Sequence, residues 1–272
     1  MFRATACHVL LTLFILFSSV LSAQTPQAQT PQQVQVGPPV RTIEPPPPDA
    51  SAPQLEATAD NLRSRKAYLE ALDYFRAALA KQPNNAQVYN KIGIVKLQTF
   101  HLDEAKKSFE RAIKLNKKHA DAYNNLGVVY YEMKKYGKAI KYYTKAIEIN
   151  ETMASYFSNL GAAYFSKKDF EKATNAYAQA LQLDPEIFER TSRTGVAAQL
   201  PSPEDRARYE YVMARLYAKM GRSDDSLQCL RRAMEQGYKD INLVYKDAEF
   251  TTLRKDPRFA ELMAAKPPAI PE

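Results

Sequence analysis

Tyr89-Asn90-Lys91-Ile92-Gly93, Tyr123-Asn124-Asn125-Leu126-Gly127 and Phe157-Ser158-Asn159-Leu160-Gly161 are three versions of one phrase, set 34 residues apart. Each opens on an aromatic residue and closes on an aliphatic residue and a glycine. Twelve residues past the glycine stands alanine (Ala105, Ala139, Ala173), and four further on comes an aromatic residue (Phe109, Tyr143, Tyr177). Three beyond that is a second alanine: Ala112, Ala146 and Ala180. Self-similarity at this period means that one supersecondary unit is repeated, so the chain is a stack of units and not an enzyme-like core. Within each half of the unit, apolar positions recur at steps of three and four, as an amphipathic helix requires. The small residues let two such helices approach closely. Polar turns separate the halves, at Thr99-Phe100-His101, Lys134-Lys135-Tyr136 and Lys167-Lys168-Asp169. Each unit is therefore expected to be an antiparallel helix pair.

This arrangement resembles the tetratricopeptide repeat (TPR), whose pattern runs W-x2-L-G-x2-Y, then A-x3-F, then P. Aromatic residues take the tryptophan place in a chain that has no tryptophan. The resemblance implies an all-α fold, a TPR helical-hairpin solenoid wound as a right-handed superhelix with a C-terminal helical cap. Units fall at 86–119, 120–153 and 154–187, the last closed by Pro185. Upstream, Ala71, Phe75, Ala78 and Pro83 fit the second half of the pattern, whereas Leu55, Thr58, Ala59 and Leu62 fit the first half poorly. Residues 52–85 are thus expected to be a degenerate first unit, as terminal units of solenoids commonly are.

Downstream, Thr194-Gly195 and Pro201-Ser202-Pro203 break the period in an irregular insertion, residues 188–203. A further TPR-like unit is expected at 204–237, with Met213, Ala214, Tyr217, Leu230 and Ala233 on repeat positions and Ser226 replacing an alanine. Residues 238–266 predict short capping helices, the last with Asp256 as N-cap and Pro257 at its first position, followed by a tail at 267–272.

Residues 1–23 carry Arg3, an apolar run from Val9 to Phe17 and then small residues up to Ala23. This is the pattern of a secretory signal peptide, and cleavage after Ser22 or after Ala23 fits it. The expected location is exported, periplasmic or extracellular. The alternative is an uncleaved N-terminal membrane anchor, against which stands the shortness of the run for a spanning helix. Residues 24–51 are rich in Gln and Pro, including Pro45-Pro46-Pro47-Pro48, and predict a disordered linker. Beyond the signal segment a single cysteine remains, Cys229, which excludes an internal disulfide and is expected to be a small buried hydrophobe.

The formal charge is +8. Lysines crowd the turns and outer faces (Lys114, Lys117, Lys118, Lys134, Lys135, Lys138), with acidic residues interspersed. A nucleic-acid partner is not expected of an exported chain without a basic-aromatic recognition motif. An envelope structural or assembly role, acting through a basic convex face on anionic polymer or lipid, is the alternative function, and peripheral envelope association is consistent with it. Catalysis is not expected. His101 and His119 sit in turns, and no H-E-x-x-H, C-x-x-C, G-x-S-x-G or phosphate-cradling glycine loop occurs, so no cofactor or metal is implied.

The main expectation is a non-catalytic protein–protein interaction scaffold that binds an extended peptide or a partner helix. In TPR superhelices the second, fifth, sixth, ninth and twelfth places of each first helix face the ligand. By that resemblance the groove is lined by Gln87, Asn90, Lys91, Ile94 and Leu97, then Asp121, Asn124, Asn125, Val128 and Tyr131. Ser155, Ser158, Asn159, Ala162 and Phe165 complete it. An asparagine amide both donates to and accepts from a peptide backbone. Asn125 and Asn159 are the leading candidates, with Asn90 and Asn124 beside them and Tyr131 and Phe165 as apolar anchors. The lysine-rich clamp by which some TPR domains hold acidic carboxyl termini is not present, since of its five places, counted from residue 86, only Asn125 matches.

Overall fold

The computed structural model describes residues 44–188 and 202–265. The expected signal segment, linker residues 24–43, insertion residues 189–201 and the tail lie outside the described residues. Among the described residues there are eleven α-helices and three short 3-10 helices, and no strand. Ten α-helices form five consecutive pairs: α1 (Ala52–Ser64) with α2 (Tyr68–Lys81), α3 (Ala86–Gln98) with α4 (Leu102–Leu115), and α5 (Ala120–Glu132) with α6 (Tyr136–Ile149). The fourth pair is α7 (Ala154–Ser166) with α8 (Phe170–Leu183), and the fifth is α9 (Pro203–Lys219) with α10 (Ser223–Glu235). Three 3-10 turns (Ile241–Tyr245, Ala248–Phe250, Leu253–Lys255) lead to α11 (Pro257–Ala265).

The glycines are fixed by the rings opposite them. A methyl group placed on Gly93 would lie 2.5 Å from Phe109, one on Gly127 2.6 Å from Tyr143, and one on Gly161 2.5 Å from Tyr177. Those rings are fully buried or nearly so, as are the flanking Ala105, Ala112, Ala139, Ala146, Ala173 and Ala180. The second, third and fourth pairs therefore close by an aromatic ring of the second helix lying against the first helix at its glycine. Burial of each such ring is worth about 1.5–3 kcal/mol.

The turn inside each pair is a Schellman motif. Its left-handed residue is Lys66, Phe100, Lys134 or Lys168 in the first four pairs and Gly221 in the fifth. In the third pair the Lys134 N–H donates to the Tyr131 carbonyl and the Lys135 N–H to the Tyr130 carbonyl, and the other four repeat this pattern. Between pairs, Asn116, Asn150 and Asp184 each accept with a side-chain oxygen from the backbone N–H two residues on, so an Asx-turn recurs every 34 residues.

The fifth pair solves the same packing problem differently. Counting back seven residues from the left-handed position leads from Lys134 to Gly127 and from Gly221 to Ala214. The frame of this pair thus runs from 207 and not from the expected 204, and α9 starts a turn early, at Pro203, behind the N-cap Ser202. Ala214 stands in the glycine place and Leu230, a smaller residue, in the place where the second, third and fourth pairs have an aromatic ring, and both are fully buried. Ser226, in the alanine place, is also fully buried, and its hydroxyl donates to the Ala214 carbonyl at 2.8 Å.

The linker is ordered where it meets the stack. The Glu44 carbonyl accepts from the Tyr74 hydroxyl (3.2 Å) and the Pro48 carbonyl from the Lys81 ammonium (2.8 Å), so the disorder expected of 24–51 does not extend over residues 44–51. Ser51 then opens α1 with a capping box to Gln54.

Candidate peptide-binding groove

Successive first helices lie side by side, and their fifth and sixth places join them. The Asn159 amide donates to Asn124 (2.9 Å), Asn124 to its neighbour Asn125 (3.3 Å), and Asn125 to Asn90 (3.0 Å). One chain of four amides thus runs across α3, α5 and α7. Between α1 and α3 an ion pair stands instead, with the Lys91 ammonium of the sixth place at 2.5 Å from Glu56 of the fifth place and from Asp60 of the ninth. Burial alone would lower the Lys91 pKa, but the hydrogen bonds to Asp60 and Glu56 outweigh it and raise the pKa above its ordinary value. Elsewhere the Tyr156 hydroxyl donates to the Asp121 carboxylate, and Tyr131 and Ser166 share a hydroxyl hydrogen bond of 3.0 Å.

These contacts divide the expected groove residues into two sets. Asn90 and Asn124 are buried, at 3 % and 8 % exposure, and Ser158 and Ala162 are buried with them. They back the groove and do not line it. Asn125, Asn159, Lys91, Ile94, Val128 and Tyr131 are half-buried and reach the surface, with Gln87 and Asp121 exposed beside them.

Phe165 is a correction. It is 2 % exposed and packs edge-on against Phe170 (5.1 Å between ring centres) and Tyr209 (5.8 Å), so it has no free face with which to anchor a ligand. Tyr209 of α9 packs on the place that stays half-open in the preceding unit, where Tyr131 stands. Tyr131 also has part of its surface taken, by the Tyr136 ring at 5.3 Å, and burial raises its pKa.

The groove ends at the cap. On α9 the guanidinium of Arg215 meets Glu249 and Asp247, and the Tyr211 hydroxyl donates to Asp247 at 2.9 Å. These partners stand 32 to 36 residues apart, close to the offsets of 31 to 35 at which one first helix meets the next. The 3-10 segment therefore occupies the place of a sixth first helix. Glu56, Asp60, Ser166, Asp247 and Glu249 carry these contacts and are not among the groove residues expected from the sequence. Recurrence of a polar residue near the 34-residue offset is the signal that finds most of them.

Among the described residues no group of three His, Cys, Asp or Glu side chains is placed to hold a metal ion. Cys229 is buried, and that burial pushes its thiol pKa well up, away from the nucleophilic thiolate. Among the same residues no helix is long and apolar enough to cross a membrane.

Family models agree with this geometry at the residues where the phrase is clearest. The model described as tetratricopeptide repeat matches 120–153 and 154–187, and a second, described as TPR repeat, matches 101–134. This chain is a TPR protein. The bounds 120–153 and 154–187 coincide with the two units framed on Gly127 and Gly161. No curated protein matches it in sequence.

Among solved structures, one from a functional characterization of Pseudomonas aeruginosa pilF is 19 % identical and has a TM-score of 0.51, over 79 % of this chain and 82 % of that one. A structure described as YrrB, a TPR protein with an unusual peptide-binding site, is 21 % identical over 72 % of this chain and 92 % of that one, with a TM-score of 0.46. MamA from Desulfovibrio magneticus RS-1 is 19 % identical over 68 % and 94 %, with a TM-score of 0.49. At these identities the likeness is one of fold. TPR proteins as a class mediate protein–protein interactions, and the fold is typically a non-catalytic scaffold.

Proposed function

We propose that this TPR protein is an exported interaction scaffold that grips an extended peptide segment of a partner protein along the first-helix face of α3, α5 and α7. The observation that supports this reading is the amide chain. Its buried members, Asn90 and Asn124, hold the half-exposed Asn125 and Asn159 in fixed rotamers. A primary amide has two N–H donors and a carbonyl with two lone pairs. The inter-helix bonds to Asn90 and Asn124 each take one donor, and the remaining capacity matches the alternating donors and acceptors of an extended backbone. Ile94, Val128 and Tyr131 flank these amides with apolar surface, and preorganisation lowers the entropy that binding must overcome. No cofactor or turnover enters this mechanism.

Recovery of the partner from envelope extracts tests it. Asn125→Ala with Asn159→Ala should reduce recovery while leaving the helical circular dichroism intact. The control is Lys107→Ala, an exposed change on the second helix α4, away from the first-helix face. Unchanged recovery with the double variant, or equal losses with the double variant and the control, would overturn the groove assignment.

A further inference from the structure

The turns inside the pairs offer a second surface, separate from the groove. Their left-handed residues Lys66, Phe100, Lys134 and Lys168 recur every 34 residues, so the turns fall in a row along one edge of the stack. Neighbouring turns meet there. Lys66 and Leu69 share one hollow with Thr99 and His101, and Lys134, Lys135 and Lys138 share another with Lys167. No acidic side chain lines the second hollow. Glu70 lines the first hollow, and among the acids elsewhere on this edge Glu104 is held by Lys96 and Asp169 by Lys172, each at 2.8 Å.

Phe100 breaks the run of lysines. It sits at φ +58°, uncommon for any residue but glycine, and leaves its ring 75 % exposed. Leu69, on the adjoining turn, is 50 % exposed. Both side chains leave apolar surface in water. Apolar tips set beside a cluster of ammonium groups suit the headgroup boundary of a bilayer, where rings enter the acyl margin and lysines face phosphates. An acidic protein would match the lysines and leave Phe100 and Leu69 in water.

We propose that this turn edge docks on the surface of an anionic lipid bilayer, with Phe100 and Leu69 entering the interface and Lys134, Lys135, Lys138, Lys167 and Lys168 against the headgroups. The edge lies at the ends of the first helices and the groove along their flanks, so docking leaves the groove free. The two readings stand on different residues and fail separately.

The absence of tryptophan makes the test direct, because Phe100→Trp supplies a single fluorophore at the tip of the edge. The full chain is mixed with phosphatidylcholine vesicles, either pure or with roughly a third phosphatidylglycerol. Anionic vesicles should shift the Phe100→Trp emission to the blue and expose it to quenching by brominated lipid, and about 1 M salt should reverse both effects. Lys118→Trp, placed in the turn between α4 and α5, should show neither. Adding Lys134→Gln, Lys135→Gln, Lys167→Gln and Lys168→Gln to Phe100→Trp should weaken vesicle affinity by about tenfold or more. An unmoved Phe100→Trp emission, an equal response from Lys118→Trp, or a shift with poly-glutamate but not with anionic vesicles would overturn the proposal.

Discussion

Gly127 and the Tyr143 ring compete for the same volume, and the same holds for each glycine of the repeat and its opposite ring. Gly127→Ala drives a methyl group into a ring that is 2 % exposed and has nowhere to go, and overpacking of this kind costs about 1–3 kcal/mol. Gly137 is the contrast, with nothing within 4 Å of a methyl group placed on it, so Gly137→Ala should gain up to about 1 kcal/mol from helix propensity alone. The Ala214–Leu230 pair shows what relieves the clash. In urea melts, Tyr143→Leu should therefore rescue Gly127→Ala, with a coupling of about 0.5–3 kcal/mol between the two changes. Strictly additive losses would show that ring and glycine do not share space. The 34-residue spacing made this packing legible as a recurrence of glycine, alanine and ring; its bounds 120–153 and 154–187 coincide with the family match, while it starts the fifth unit at 204 where the left-handed Gly221 sets 207. It did not show that glycine faces the ring of its own pair. It also misplaced Phe165, because a positional code for groove residues says nothing of which side chain the next first helix packs on each place, and here that side chain is Tyr209.

The 3-10 segment behind α10 works as an element although it has no helical period to reveal it. Asp256-Pro257 marks the start of α11 in the sequence, but the contacts of Asp247 and Glu249 are set by where the stack ends. Burial alone would raise the Glu249 pKa, yet the Arg215 hydrogen bond outweighs it and holds the carboxyl below its ordinary value of 4.5. A carboxyl depressed in the folded state contributes stability that is fully present above its unfolded pKa and is lost as pH falls through its folded one. The cap should therefore loosen below about pH 4.5. Hydrogen exchange should show residues 241–265 losing protection on acidification before residues 120–187 do, and Arg215→Met should expose 241–265 already at neutral pH. Equal protection of both segments across this range would mean that the ion pairs do not hold the cap.

Across the whole molecule, stability should travel from pair to pair, since each unit of a solenoid touches only its neighbours. The α8–α9 junction is where this can be tested, because one aromatic cluster joins the helices on either side of the insertion. Tyr209 meets Tyr177 and Phe165, each at 5.8 Å between ring centres, and Phe188 closes on Tyr177 at 5.3 Å. Tyr209→Ala removes the shared ring from this buried site, a change worth about 3–5 kcal/mol. Nearest-neighbour coupling then requires the fifth pair and the cap, residues 203–265, to lose exchange protection at a lower denaturant concentration than residues 120–187. Phe75→Ala, in the fully buried core of α2, is the matching lesion at the other end and should release residues 52–81 while leaving the fifth pair protected. If both variants instead lowered the protection of every pair together, the stack would be a single cooperative unit, because a chain of local interfaces confines each lesion to the units that touch it.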